Sequence, residues 1–402
     1  MIRPSICLFF GPIFMGAPHH PETLAVHAGR VIDPATGALA PPIHLSTTFE
    51  RDPDGSYPRG YAYSTFNNPN RAWLEDAMIE LEGGAGAIAT SSGMAAIASV
   101  LSVLKPGERL IVSHDLFQGT ARLIDEQLRQ WGVEADVVDT AKPDEIEAAI
   151  TPQTRMIWID TPSNPLMRVS DIAAVVDLAK RRNIRVAVDS TFATSVLQRP
   201  LDWGADVAVY AATKYIAGHT DVVSGLAVFR EKGELYERAR AFQINVGLTP
   251  SPFDCWMVHR GLRTLPYRMR AHSQNGLAVA RFLEGHSRVA RVYYPGLTSS
   301  QGSDVARRQM PDGCGGMLSV SIRGGREAAL ATVARVKLFT RAASLGGVES
   351  LIEHRASSPI QTLGRGVGFE TPDDLLRLSI GIEHADDLIA DLDQALDGNW
   401  AP

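Results

Sequence analysis

Between about residues 73 and 250 the chain alternates short apolar runs with stretches of helical spacing. Ala72–Glu82 sets its apolar residues at three- and four-residue intervals, and Gly83-Gly84 stops the pattern. Met94–Leu104 reads as a buried helix closed by Lys105-Pro106-Gly107. Strands are predicted at Arg109–Val112, Glu134–Val138, Met156–Ile159, Arg185–Val188 and Val207–Tyr210, with helices over about 119–131, 143–150 and 170–182. Nearly continuous apolar strands separated by helices predict a mostly parallel sheet covered on both faces. Such sheets bind ligands at the carboxyl ends of their strands.

The pattern changes after about residue 250. Ser251–Trp256 leads into a long Arg-rich helical region through Glu284. Strand candidates follow at Arg288–Tyr294, Gly316–Ile322 and Leu376–Ile382, with helices over 325–336 and 386–397. This is the pattern of a second, smaller α/β domain. The expected division is 73–260 for the large domain and 261–402 for the small one. Residues 1–72 are rich in Pro, Gly, Thr and Tyr with little periodicity. A loop of that length is out of place inside a compact domain, so an arm reaching onto a neighbouring subunit is expected. The apolar run Ile6–Met15 is broken by Gly11-Pro12 and lacks a small-residue cleavage site, so residues 1–20 read as a disordered tail, or translation begins at Met15, rather than as a secretion signal.

Composition narrows the function classes. With 402 residues, 45% hydrophobic and 21% charged, the chain is a globular protein too long for one ordinary core. A net charge of −6 argues against a nucleic-acid or anionic-membrane partner. Cys7, Cys255 and Cys314 have no CxxC spacing, so neither a disulfide framework nor a metal site is expected and a cytoplasmic setting is. No apolar run is long enough to span a bilayer.

Only six of the 39 basic residues are lysines, and one stands apart. Lys214 lies among small and apolar residues in Val207–Gly218, where desolvation disfavours the ammonium. A neutral amine is a nucleophile suited to Schiff-base chemistry with a carbonyl such as pyridoxal phosphate; the competing reading is a lysine snorkelling from a core strand. Asp189 ends a strand 25 residues earlier, either as partner of a pyridine nitrogen or as an acidic strand cap. Ser91–Ala96 opens a helix, either as an anion site for a phosphate or as a plain cap. Phe117, just past a strand, is a stacking ring or a hydrophobic plug. Arg377 sits within an apolar strand and needs an anion there, from a substrate carboxylate or from an internal acid.

Taken together, Asp206–His219, with Leu81–Gly84, Ser92–Met94, Thr161–Pro165, Gly261–Leu265, Ser344–Ser350 and Leu378–Glu383, resembles the Cys/Met-metabolism (transsulfuration) family of pyridoxal-phosphate enzymes from about Glu22 to Leu396. The resemblance implies the aspartate aminotransferase-like fold (fold type I) and pyridoxal 5′-phosphate as cofactor. It implies Lys214 as Schiff-base lysine and proton shuttle, Asp189 at the ring nitrogen, and Gly93, Met94 and Thr213 around the phosphate. Phe117 falls where the family has its ring-stacking tyrosine. Asn164, Ser344 and Arg377 fall near the substrate carboxylate, and Tyr63 is the arm residue donated to the neighbouring subunit. The implied assembly is a dimer of active sites, paired into a tetramer.

Four positions depart from the family pattern. Thr65 stands where an arm arginine is usual, with Arg59 and Arg71 nearby. Ala211 replaces a serine, Phe117 a tyrosine, and Ala343 the glutamate of cystathionine γ-lyases and γ-synthases. The leading expectation is γ-replacement or γ-elimination on a homoserine derivative or sulfur amino acid. The rivals are β-elimination of the cystathionine β-lyase type, transamination, and a degenerate homologue that binds the cofactor without catalysis.

Overall fold

The computed structural model describes residues 19–357 and 371–397. Most of the expected N-terminal tail therefore lies outside the described residues, while His20 already precedes a short helix, Pro21–His27. Two sheets organise the rest. The larger has seven strands: β1 Gly86–Thr90, β2 Arg109–Ser113, β3 Glu134–Val138, β4 Thr154–Asp160, β5 Arg185–Asp189, β6 Val207–Tyr210 and β7 Gly225–Phe229. Their order is β1-β7-β6-β5-β4-β2-β3. The run from β6 through β3 is parallel, and β7 is antiparallel to both β6 and β1. All five strands read from the sequence are present. β1 and β7 were not read; they are Ala- and Gly-bearing segments of modest β propensity that form because both faces are covered.

The helices flanking this sheet start and stop for local reasons. Pro69–Glu82 is capped by Asn68, whose side chain accepts from the Asn70 N–H at 2.9 Å, and it ends at Gly83 with φ +76°. The stretch expected over 119–131 is a short α-helix, Gln118–Leu123, that continues as a π-turn over Ile124–Leu128. The helical region expected through Glu284 consists of two helices, Pro252–Leu262 and Leu265–Gly285, with Pro266 in the first turn of the second.

The second sheet holds β8 Val289–Tyr293, β9 Met317–Ile322, β10 Thr340–Arg341, β11 Leu351–His354 and β12 Leu375–Ser379, in the order β10-β11-β12-β9-β8. All its pairings are antiparallel except β10 with β11. Leu318, Val320, Leu376 and Leu378 point into a core shared with Ala329, Leu388 and Leu392 of the covering helices. Among the described residues no helix is long and apolar enough to cross a membrane.

Candidate active site

The parallel strands β4, β5 and β6 end side by side, with Asp160 opposite Asp189 and Asp189 opposite Val209. The loop after β6 carries Lys214. Its base is locked where Thr213 Oγ1 donates to the Ser224 carbonyl at 3.0 Å and accepts the Ser224 N–H at 3.0 Å. Beyond it Arg268, which is buried, donates to the carbonyls of Tyr215 (2.5 Å), Ile216 (3.1 Å) and Gly261 (2.7 Å). Gly218 permits this approach: φ is +73°, and a Cβ there would lie 2.0 Å from Arg268 Nη1. The sequence reading missed Arg268, because a helix arginine carries no local sign of the carbonyls it serves.

Lys214 Nζ donates to Ser344 Oγ at 2.6 Å. Burial, with Arg377 and Arg355 nearby and Glu353 opposing them, lowers the lysine to about 8. Ser344 holds φ +85°, a left-handed conformation uncommon outside glycine. Its carbonyl accepts from Arg377 Nη2 at 3.0 Å, while Arg377 Nη1 donates to Asn164 Oδ1 at 3.2 Å. Lys214, Ser344, Arg377 and Asn164 thus form one hydrogen-bonded chain drawn from four distant segments.

Arg377 has one of the two anionic partners that the sequence left open. β11 and β12 place Glu353 directly across from it, and Glu353 Oε2 accepts from Arg377 Nη2 at 2.9 Å and from Arg355 Nη1 at 3.0 Å. The internal acid is there, shared between two buried arginines. Burial and the neighbouring Arg355 guanidinium pull Arg377 below the ordinary arginine range. Neither Glu353 nor Arg355 was singled out from the sequence; the signal available was a charged pair inside the β-like run Leu351–Arg355.

Asp189 accepts from the Thr191 N–H at 3.0 Å, and burial pushes its carboxyl up. Thr191 Oγ1 in turn accepts from the Ala211 N–H at 2.9 Å, tying this strand end to the Lys214 loop. Beside Asp189, Asp160 is buried and accepts from the Phe117 N–H and the Trp158 indole, each at 2.7 Å. Burial and the Asp189 charge raise Asp160 to about 8. Asp160, also missed in the sequence, fixes the backbone of Phe117 next to Asp189.

The helix Gly93–Leu101 is capped by Ser92, whose side chain accepts from the Ala95 N–H at 3.1 Å. Its first residue packs on the Lys214 loop: a Cβ at Gly93 would lie 2.8 Å from Ala211 Cβ. Met94 and Phe117 meet over Gly119, where an added Cβ would be 2.6 Å from Met94 Sδ and 2.5 Å from the Phe117 ring. Gly93, Met94, Phe117, Asn164, Asp189, Thr213, Lys214 and Ser344 are each partly exposed on a largely buried frame, as the lining of an open site should be.

Tyr63 is not part of this group. It stands 48% exposed on the N-terminal segment, bridged to Thr48, with its ring against Phe66. Arg71 is turned inward, donating to the Ser64 and Thr65 carbonyls at 3.0 and 3.3 Å, and Arg59 is engaged with Glu50 and Asp52.

Residues 22–397 match the family model described as Cys/Met metabolism PLP-dependent enzyme. The chain is 48% identical over 377 residues to cystathionine gamma-synthase of Mycobacterium tuberculosis, covering 94% of this chain and 96% of that one. It is 40% identical to cystathionine beta-lyase of Coxiella burnetii, covering 94% and 98%. Its fold superposes with a TM-score of 0.90, at 43% identity over 94% of this chain and 98% of the other, on cystathionine gamma synthase from Xanthomonas oryzae pv. oryzae in complex with aminoacrylate and cysteine. The chain belongs to the Cys/Met-metabolism family of PLP-dependent enzymes.

Proposed function

We propose that this enzyme catalyses γ-replacement or γ-elimination on a homoserine derivative or sulfur amino acid, with Lys214 as the residue that binds the cofactor and moves protons. The observation that carries the reading is the 2.6 Å contact of Lys214 with Ser344, made by a lysine drawn toward its neutral form beside Arg377.

The residues present fit pyridoxal phosphate. The close approach of Gly93 to Ala211 leaves the N–H groups of Gly93 and Met94 at a helix N-terminus for the phosphate, next to Thr213. Asp189 supplies a carboxyl for the ring nitrogen and Phe117 a ring face. Tyr63 would serve the neighbouring subunit, a role that its half-exposed position on the arm supports. When bound, the cofactor supplies a sink for the electron pair left at the substrate Cα.

Lys214 Nζ, once neutral, would take the Cα proton and, after giving it up, a second proton from Cβ, whose electron pair expels the γ-substituent as an anion. Ser344 Oγ holds Nζ in place. Arg377 and Asn164 receive the substrate carboxylate, with Glu353 holding the arginine from behind. Ala343 offers no acid to a distal amino group, which favours an O-acyl-homoserine over cystathionine as substrate. The relative captured with cysteine supports a thiol as the incoming group. The similarity is higher to the gamma-synthase than to the beta-lyase, so β-elimination is not favoured.

The same reading takes residues 1–72 as an inter-subunit arm, 73–260 as the cofactor domain and 261–402 as the small domain. Ile32, Leu39, Leu45 and Phe66 expose large apolar side chains on the arm, which suits a surface covered by a second copy. The same reading includes a cytoplasmic dimer of active sites, paired into a tetramer. The test is to supply the cofactor-loaded protein with O-succinyl- or O-acetyl-homoserine and cysteine. Cystathionine or 2-oxobutyrate is the expected product. Pyruvate as the main product from cystathionine would replace this reading with β-elimination, and stoichiometric keto-acid exchange would replace it with transamination.

A further inference from the structure

At the edge of the large sheet opposite Lys214, where β4 and β5 begin, a cleft of about 420 Å³ opens. That volume lies within the range of small-molecule sites, about 300–1,000 Å³. Its charge runs against that of the chain. Six lysines and arginines line it against three carboxylates, whereas the protein as a whole carries −6.

The carboxylates are already taken. Glu234 holds Arg185 at 2.9 Å and Arg238 at 3.6 Å, Asp206 holds Arg230 at 2.7 Å, and Glu108 lies 3.7 Å from Arg155. Arg230 reaches Glu231 as well, at 3.6 Å, yet its Nε is buried without a partner among the described residues. Lys105 and Lys180 line the same cleft, and among the described residues no carboxylate forms an ion pair with either ammonium. Met156, Ile184 and Val186 close the floor, all buried. Cations gathered this way repel one another, and a multiply charged anion relieves that repulsion.

We propose that this cleft binds a di- or triphosphate group, carried by a nucleotide or by free polyphosphate. The lining cations outnumber the lining carboxylates by three, or by two once Glu231 beside Arg230 is counted, and such a surplus calls for a multiply charged anion. Arginine forks and lysine point charges are the side chains that hold phosphate oxygens. The site is separate from the catalytic edge: β4 runs from Arg155 at the cleft to Asp160 beside Asp189, roughly 17 Å at the rise of an extended strand.

Isothermal titration calorimetry on the full-length, cofactor-loaded enzyme in magnesium-free, low-salt buffer tests this, with tripolyphosphate, ADP and orthophosphate as probes. Tripolyphosphate and ADP should saturate one site per chain, and binding should weaken steeply with added salt. Orthophosphate should bind at least about tenfold more weakly. The visible cofactor band should not change, which separates this site from the cofactor's own phosphate site. The Lys105→Ala/Lys180→Ala pair should weaken binding about tenfold or more, and the Lys→Arg pair should retain it. ADP binding tighter than tripolyphosphate identifies a nucleotide as the source, and the reverse order identifies polyphosphate. Absence of saturation, undiminished binding by the alanine pair, or binding that bleaches the cofactor band would each overturn the proposal.

Discussion

Lys214 and Ser344, 130 positions apart, meet in a 2.6 Å hydrogen bond between Nζ and Oγ. Ser344 makes the contact from a left-handed backbone conformation, and Arg377 holds its carbonyl in place. A conformation that costs of the order of 1–3 kcal/mol persists only where its surroundings impose it. Here the second sheet imposes it, and the result is a fixed acceptor for the lysine.

Lys214→Ala should abolish the visible band of lysine-bound pyridoxal phosphate and lower turnover by at least roughly 10²–10⁴-fold. In the wild-type protein freed of cofactor, the rate of band formation on adding pyridoxal phosphate should climb as pH passes about 8, because only the neutral amine attacks. A variant that keeps the band would remove Lys214 from its assigned role.

Glu353 and Arg355 should move that pH dependence in opposite directions. Glu353 opposes the two arginines and raises the lysine pKa, so Glu353→Gln should shift the midpoint of band formation to lower pH. The same change releases Arg377 from its carboxylate partner and should raise KM for the amino-acid substrate. Arg355 lowers the lysine pKa, so Arg355→Ala should shift the midpoint upward. Stopped-flow absorbance across a pH series reads both; equal midpoints in the two variants would contradict the electrostatic assignment.

In Asp160→Asn, an amide replaces a carboxyl that accepts both the Phe117 N–H and the Trp158 indole. One of those donors then faces an NH₂ group. Denaturant unfolding should show a loss of about 1–3 kcal/mol, the usual cost of a buried unpaired polar group. Affinity for pyridoxal phosphate should fall alongside it, because Phe117 loses its anchor. Full affinity in a destabilised variant would limit Asp160 to the fold.

Glu82 is buried against Tyr210, whose hydroxyl donates to it at 2.5 Å, and burial raises its carboxyl to about 8. The folded-state pKa therefore lies above the ordinary value of 4.5. The folded protein binds this proton more tightly than the unfolded chain does, so the contribution is full at acid pH and is lost as pH rises through about 8. Glu82→Gln should flatten the decline in stability between mildly acidic and mildly alkaline pH. Denaturation midpoints measured at both ends of that window decide it, and parallel declines in both proteins would rule Glu82 out as the cause.

The parallel strands β2 to β6, the helices beside them and the isolated Lys214 were legible in the chain because each is written in a few contiguous residues: an apolar run, a cap, a lysine without polar neighbours. β1 and β7 escaped because Gly86–Thr90 and Gly225–Phe229 become strands through pairing with each other, a contact between distant segments. The two readings of Arg377 could not be separated by sequence. Whether an internal acid faces it depends on the register of β11 against β12, which sets Glu353 across from the arginine. Glu353, Asp160 and Arg268 were hard to read for the same reason, since Arg377, the Phe117 N–H and the Tyr215 and Ile216 carbonyls that they bond lie on other elements; the Glu353–Arg355 pair was the one local signal. Sequence by itself determined the chemistry available to this protein, through residue type and local desolvation. Tertiary structure alone decided which charges face one another, because electrostatic and hydrogen-bonding energies depend on distances that only the packed chain defines.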